Sequence, residues 1–161
     1  VAFDCKNRLN EMLEIVEQAS HKTLIFANFK HSIDTIQEFL TKHKITNAAI
    51  SGDVSLNKRS EIIQRFQTTS EPHVLVIQPQ AASHGITLHA ANTIIWWSPI
   101  PSLESYLQAN ARVHRAGQKN PCTVIHLFGS TVERQMYTRL QGKKEDQASL
   151  LAMYKDVIGL T

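Results

Sequence analysis

At 161 residues, with 42% hydrophobic and 19% charged side chains, the chain fits one folded domain with a full α/β core, which excludes a disordered or low-complexity protein. A net charge of +3 with eight histidines is mildly basic; it admits a phosphate-bearing partner without requiring one. Cys5 and Cys122 are isolated and fit no metal spacing, no apolar run of about 18 residues occurs, and the first residues carry no signal pattern; this excludes a disulfide scaffold, a zinc module and a membrane span, and reads as an intracellular protein with reduced thiols.

In chain order, Asp4 is placed to cap a first helix, with Leu9, Met12, Leu13 and Val16 at helical spacing. Thr23 to Asn28 is a β-branched and aromatic strand, followed by the turn Phe29-Lys30-His31-Ser32. Ile33, Ile36, Phe39 and Leu40 mark an amphipathic helix, and Asn47 to Ser51 a short strand ending in Ser51-Gly52-Asp53. Ser55 is placed to cap the helix that carries Lys58, Arg59, Ile62, Ile63 and Phe66. From Pro72 to Leu103 there is no Lys, Arg, Asp or Glu. Within that stretch Val74 to Ile77 and Thr93 to Trp97 read as strands buried on both faces of a parallel sheet. Between them, Gln80 to Leu88 is rich in small residues. It suits either a tight turn or the close approach of backbone amides to a phosphate. Cys122 to Phe128 reads as one more strand. Ser130 and Glu133 form a capping box ahead of a helix striped by Val132, Met136, Tyr137 and Leu140. After the charged hinge from Gly142 to Asp146, Leu150, Leu151, Tyr154 and Ile158 mark a last helix that docks on this domain or on another. The alternation of helices and short apolar strands predicts βαβ crossovers, hence a parallel sheet with helices on both faces.

The segment with the most chemical character is Gln108 to Lys119, QANARVHRAGQK. Gln108, Arg112 and Arg115 fall at i, i+4 and i+7, one face of a helix, with Leu103, Leu107 and Ala111 as the predicted anchoring stripe. Gly117 is the predicted left-handed C-cap, and Pro121 lies just beyond it. Two forked guanidiniums and an amide at a helix end suit a multiply charged phosphate better than a lone carboxylate, although two arginines alone would also suit a solvated helix surface.

QANARVHRAGQ resembles the sixth motif of superfamily-two helicases, Q-x-x-x-R-x-H-R-x-G-Q, and its ending resembles the Swi/Snf-like translocases. RNA helicases of the DEAD-box type end this motif HR-x-GR-x-GR, and Gln118 and Asn120 argue against that ending here. The resemblance runs in order over roughly residues 6–141. KTLIFANFKHSID is similar to motif IV, ISGDVSLNKRSEIIQRF to the block after it, QAASHGITLHAANTIIWW to motif V and its strand, and GSTVERQMYTRL to the block after motif VI. IIWWSPIPSLESYLQANARVHRAGQ is worded most like phage and prophage versions. The resemblance implies a RecA-like fold of the P-loop NTPase type, the C-terminal lobe of an ATP-dependent DNA helicase or translocase, over residues 1–142, with residues 143–161 as a helical extension. It implies ATP as the nucleotide, with Mg2+ held by an N-terminal lobe, and location in the cytoplasm if the source is prokaryotic or a phage.

On the same resemblance Arg112 and Arg115 are arginine fingers, and Gly85, Thr87 and Gln108 belong to the same nucleotide side. Turns at strand C-terminal ends bind ligands in such folds. That makes Asn28, Lys30, His31, Ser51, Gly52, Lys58, Arg59, Gln78, Gln80, Ala82 and Ser83 the candidate contacts to a DNA phosphate backbone, with no metal site among them. Lys30 suits a solvated turn equally well, and Arg59 could pair with Glu61 or Asp53. Trp96 and Trp97 read as core or lobe contact rather than a base-stacking platform.

The chain departs from the family pattern in three places. Pro79-Gln80-Ala81-Ala82 stands where relatives carry an arginine, Thr87 where many have Asn, and Trp96-Trp97 where an acidic ending is common. No G-x-x-x-x-G-K-[ST] and no D-E-x-H occur, and position 1 is Val, so the chain reads as a piece of a longer protein that holds half an ATPase site. Two other readings stay open: an RNA helicase lobe, and a non-catalytic nucleic-acid or partner-binding module.

Overall fold

Lys22–Phe26 forms the central strand, β1, of a five-stranded parallel sheet. The other strands are β2 (Asn47–Ile50), β3 (Val74–Ile77), β4 (Ala91–Trp96) and β5 (Thr123–His126), in the spatial order β2-β3-β1-β4-β5. The computed structural model describes residues 5–82, 85–114, 117–142 and 147–159; the Asp4 cap, Ser83, Arg115 and the charged residues 143–146 lie outside the described residues. The helices are α1 (Cys5–Gln18), α2 (Lys30–Lys42), α3 (Leu56–Thr68), α4 (Leu103–Ala111), α5 (Thr131–Gln141) and α6 (Gln147–Gly159), and a 3-10 turn covers Pro79–Ala82. This is the RecA-like α/β architecture the resemblance implied.

Strand alternation divides the core. Leu24, Phe26, Leu75, Ile77, Ile94 and Trp96 face one side, packed with Phe66 of α3, Tyr106 of α4, Met136 of α5 and Leu150 of α6. Ile25, Val74, Val76 and Ile95 face the other, packed with Met12 and Val16 of α1 and with Ile33, Ile36 and Leu40 of α2. Burial of each such side chain stabilises the fold by roughly 1.5–3 kcal/mol. The uncharged stretch supplies β3 and β4, the neighbours of β1, whose residues lie between two helical layers; Thr123 and Val124 of the edge strand β5 are exposed.

The helix starts follow local chemistry. Ser55 Oγ accepts from Lys58 N–H at 3.3 Å, and Ser130 Oγ from Glu133 N–H at 3.2 Å. The end of α3 is closed from a distance. Lys22 Nζ donates to the carbonyls of Phe66 and Thr69, both at 2.6 Å, satisfying last-turn acceptors at the negative end of the helix dipole.

Three predicted stripes are corrected. On α4 the buried residues are Leu103, Tyr106 and Ala109, with Val113 just beyond the helix, whereas Leu107 is 38% exposed and Ala111 is exposed. The Tyr106 ring packs tilted against Trp96 at 5.0 Å between ring centroids, and Asn110 Oδ1 takes the Trp96 indole N–H at 2.9 Å, so the tyrosine side of the helix turns inward. α4 also ends at Ala111, so that Arg112, the second residue of the expected i, i+4, i+7 face, is already its C-cap. Gly117 does adopt a left-handed φ of 98°, but past that helix end, in a turn against the His89 ring. On α5 Glu133 is buried in place of Val132. On α6 the packed residues are Leu150, Met153, Tyr154 and Val157, while Leu151 and Ile158 are exposed.

Glu133 is buried because it has partners. Its Oε1 accepts from the Gly129 amide at 2.9 Å and pairs with Arg8 at 3.2 Å, and Arg8 also donates to the Trp97 carbonyl at 2.8 Å. The network ties α1 to α5 and to the end of β4. Arg8→Ala leaves a carboxylate without its cation and is expected to cost about 3 kcal/mol in urea unfolding; a loss below about 1 kcal/mol would show that the pair contributes nothing net.

His126 sits in an aromatic cluster, 2.7 Å from the Tyr106 hydroxyl and 4.3 Å from the Tyr137 ring centroid, and burial pushes its pKa down to about 4. The unfolded ring titrates near 6.5, so both states are neutral above that pH and stability is unaffected. Between pH 6.5 and 4 the unfolded chain takes up a proton that the folded chain refuses, and stability falls as pH falls. After allowance for partial solvent screening the loss is about 1–2 kcal/mol. His126→Asn is expected to flatten the difference in urea midpoint between neutral pH and pH 4 relative to wild type; an unchanged profile would place the pH sensitivity elsewhere.

Candidate nucleotide and nucleic-acid interface

The parallel register pairs Phe26 with Ile77 and Trp96, and Ile50 with Ile77, so β1, β2, β3 and β4 end level with one another. Residues just past those ends therefore share one edge. The connection after β1 runs to β2 and the connection after β4 runs to β5, on opposite sides, which opens the crevice where α/β sheets receive ligands. The N-termini of α2 and α3 also open at this edge and carry partial positive charge.

Five of the predicted nucleic-acid residues meet in a hydrogen-bonded platform there. Gln78 Nε2 donates to the Asn28 carbonyl at 3.0 Å, and its Oε1 accepts from the Gly52 amide at 2.5 Å, so one carboxamide spans the ends of β1, β3 and β2. Gln80 Nε2 donates to Asn28 Oδ1 at 3.0 Å. Arg59 points back to this turn, donating to the Val54 carbonyl at 2.9 Å and the Gly52 carbonyl at 3.0 Å without a direct ion pair to Glu61 or Asp53. Beside it the buried Ser51 hydroxyl donates to Asp53, whose carboxyl is held below the usual range first by that bond and then by its own backbone N–H, with Lys30 and Arg59 adding to them against desolvation.

The other predicted contacts are placed differently. Lys30, His31 and Lys58 are exposed in the first turns of α2 and α3, and Lys30 lies 3.6 Å from Asp34 on its own helix. Ala82 is fully buried and offers no side chain to a ligand.

Among the residues predicted for a nucleotide, Arg112 acts with both its ends. Its Nε donates to the Ala82 carbonyl at 2.6 Å, and its own carbonyl accepts from the Leu88 amide at 2.8 Å. One residue thereby fixes both anchors of the loop that contains Gly85 and Thr87. Gly85 has φ 73°, which L side chains rarely adopt, and open space where a Cβ would lie. Thr87 is half-buried two residues on. Gln108 Nε2 donates to Glu104 one turn earlier at 3.2 Å. Gln118 donates to the carbonyls of Ala91 at 2.9 Å and Val113 at 3.2 Å, binding the end of the motif to the start of β4. The 3-10 turn joins the two halves, since Gln80 reaches the platform and Ala82 receives Arg112.

Sequence reasoning missed Tyr154. It comes from α6, more than a hundred residues after Asn28, and its hydroxyl accepts from Asn28 Nδ2 at 2.7 Å. The signal available was an aromatic residue in the last apolar stripe, and it read as packing. Trp96 and Trp97 are buried, as core residues. Among the described residues no helix is long and apolar enough to cross a membrane.

Residues 6–117 match the family described as helicase conserved C-terminal domain. The chain is 30% identical over 143 residues to the chromatin-remodeling ATPase INO80 of Saccharomyces cerevisiae, covering 87% of this chain and 10% of that protein. It is 30% identical over 136 residues to chromodomain-helicase-DNA-binding protein 1-like of Danio rerio, covering 84% of this chain and 13% of that one. A solved structure of the C-terminal part of the Fun30 ATPase domain superposes with a TM-score of 0.76 at 21% identity, covering 96% of this chain and 54% of the other, which is a likeness of fold. The chain thus spans about a tenth of the length of the curated relatives. These relatives agree with the Swi/Snf-like resemblance; they are fungal and zebrafish proteins and lend nothing to the phage wording. With the sheet, the strand-end platform and the motif VI arginine in place, the chain belongs to the helicase conserved C-terminal domain family.

Proposed function

We propose that residues 1–142 are the C-terminal RecA-like lobe of an ATP-dependent DNA helicase or translocase that acts inside the cell, and that residues 143–161 are a helical extension docked on it. The observation that carries this reading is the two-ended hold of Arg112 on the loop around Gly85, on the same sheet edge as the platform of Asn28, Gln78 and Gln80. In the proposed mechanism an N-terminal lobe holds ATP and Mg2+. Arg112 and Arg115 reach its phosphates across the cleft and stabilise charge as the terminal phosphoryl group is transferred to water. Gly85 and Thr87 face the nucleotide side, and Gln108 orients the same network. Loss of the bridging phosphate lets the lobes part. The platform, Gly52 and Arg59 included, with Lys30, His31, Ser51 and Lys58 around it, grips phosphate backbone and reads no bases. Ser83 is proposed for the same role.

In the full-length protein, Arg112→Ala and Arg115→Ala are each expected to lower DNA-stimulated turnover by about 10³-fold or more, with DNA affinity changed far less. Lysine is expected to rescue poorly, because a point charge does not reproduce a planar fork. Turnover, DNA affinity and melting temperature measured together decide the matter: near-normal turnover, or loss only through unfolding, makes these arginines structural.

The 161-residue chain by itself is expected to lack ATPase activity and to bind DNA weakly. Its affinity should fall with salt by about 0.9 in log–log slope per neutralised phosphate of duplex DNA. Robust turnover by the isolated chain, or tight and salt-insensitive binding, would sink the half-site assignment.

A further inference from the structure

We infer that Tyr154 of α6 is a phosphate-contacting residue of the strand-end platform, its hydroxyl proton serving as a neutral donor to a backbone phosphate oxygen. The inference rests on the proposed reading of that platform as a nucleic-acid surface. It begins with a hydrogen-bond relay that runs one way in the structure, from Gln80 through Asn28 to Tyr154. Gln80 Nε2 can only donate, so the Asn28 atom facing it is the acceptor Oδ1. Asn28 must then turn its Nδ2 to Tyr154, and the tyrosine oxygen receives that bond at 2.7 Å. A hydroxyl that accepts one bond still has its own proton to give. Among the described residues no group accepts it.

Three further observations fit a donor held ready. The Tyr154 ring lies against Phe29 with the planes 8° apart and centroids at 6.5 Å, and α6 is anchored by the fully buried Leu150, so the hydroxyl is positioned before any ligand arrives. Burial raises the hydroxyl pKa above its ordinary value, which keeps it protonated and uncharged at neutral pH. The relay Gln80 to Asn28 to Tyr154 runs donor to acceptor toward its outer end, and each bond polarises the next, strengthening the terminal O–H as a donor. Phosphate oxygens accept and do not donate, so a ligand at this edge has use for an O–H and none for a further acceptor. The platform otherwise lacks a cation at the motif V turn, where Gln80 stands. The C-terminal helix adds a neutral donor beside that turn.

The test uses the 161-residue chain with a fluorescent duplex and a fluorescent single-stranded oligonucleotide, each titrated over a series of salt concentrations. Tyr154→Phe keeps the ring, the Phe29 stack and the fold, and removes only the hydroxyl. It is expected to weaken binding about three- to tenfold with the salt slope unchanged, because no cation is lost, and to move the melting temperature by no more than about 4 °C. Lys30→Gln serves as the comparison and is expected to lower the slope by about 0.9 on the duplex. If wild type binds with the expected salt dependence and Tyr154→Phe binds equally well, the platform reading stands and the role of Tyr154 falls. Tighter binding by Tyr154→Phe overturns it too, by showing that α6 covers the platform and competes with DNA. If wild type binds neither oligonucleotide, both readings fail together.

Discussion

The constraint on which the rest depends is the position of β1 between β3 and β4. A strand in the middle of a parallel sheet has every amide and carbonyl committed to a neighbour, and its side chains are taken up by both helical layers. It cannot slide by one residue without turning Leu24 and Phe26 to the wrong layer. Because β1 is fixed, the turns that follow the strands around it start level with one another. The edge that carries Asn28, Gly52, Gln78 and the 3-10 turn is therefore a consequence of core packing. No loop has to find its place separately.

What fills that edge is unusual in kind. The stretch from Pro72 to Leu103 carries no charged residue, so the groups that cross-link the strand ends are carboxamides. Gln78 joins two backbones, Gln80 holds Asn28, and Asn110 holds the Trp96 indole. A carboxamide both donates and accepts, so it can satisfy two unlike backbone groups without bringing a charge into a low-dielectric setting. The charges that do occur at depth are paired across the fold, as Arg8 and Glu133 are.

The sequence made the periodic and local features legible and hid those made by distant residues. The strand Val74 to Ile77 was readable because four apolar residues lie between polar breaks, and Ser55 and Ser130 were readable because a cap is a contact between near neighbours. The motif around Arg112 was readable as a family pattern, with the RecA-like sheet that goes with it. The burial of Tyr106 instead of Leu107 was not, since both fit a helical stripe and only the Trp96 ring across the interface decides between them. The end of α4 at Ala111 was equally hidden. It is set by the Leu88 amide, from another part of the chain, taking the Arg112 carbonyl. Glu133 read as a capping residue and is one, but its burial depends on Arg8, 125 positions away. Asn28, Gln78 and Gln80 were identified as edge residues, and their bonds to one another were beyond any reading of spacing.

These two properties of the edge bear on how it would hold a nucleic acid under the proposed reading. Two of the cations near it already have partners, Lys30 with Asp34 and Arg59 with the carbonyls of Val54 and Gly52, while Lys58 is exposed. Solvent-exposed charges act through a screened field and release counterions, so their share of binding declines with salt. Neutral N–H and O–H donors act only at contact and lose little when salt is added. A lobe that grips with few cations and several preset amides would hold a backbone weakly at any distance and selectively at the right one. The energy it contributes is then governed by geometry, and geometry is what lobe closure changes. Such a surface can let go when the lobes part without overcoming a long-range attraction, which is what a stepping motor requires of each grip.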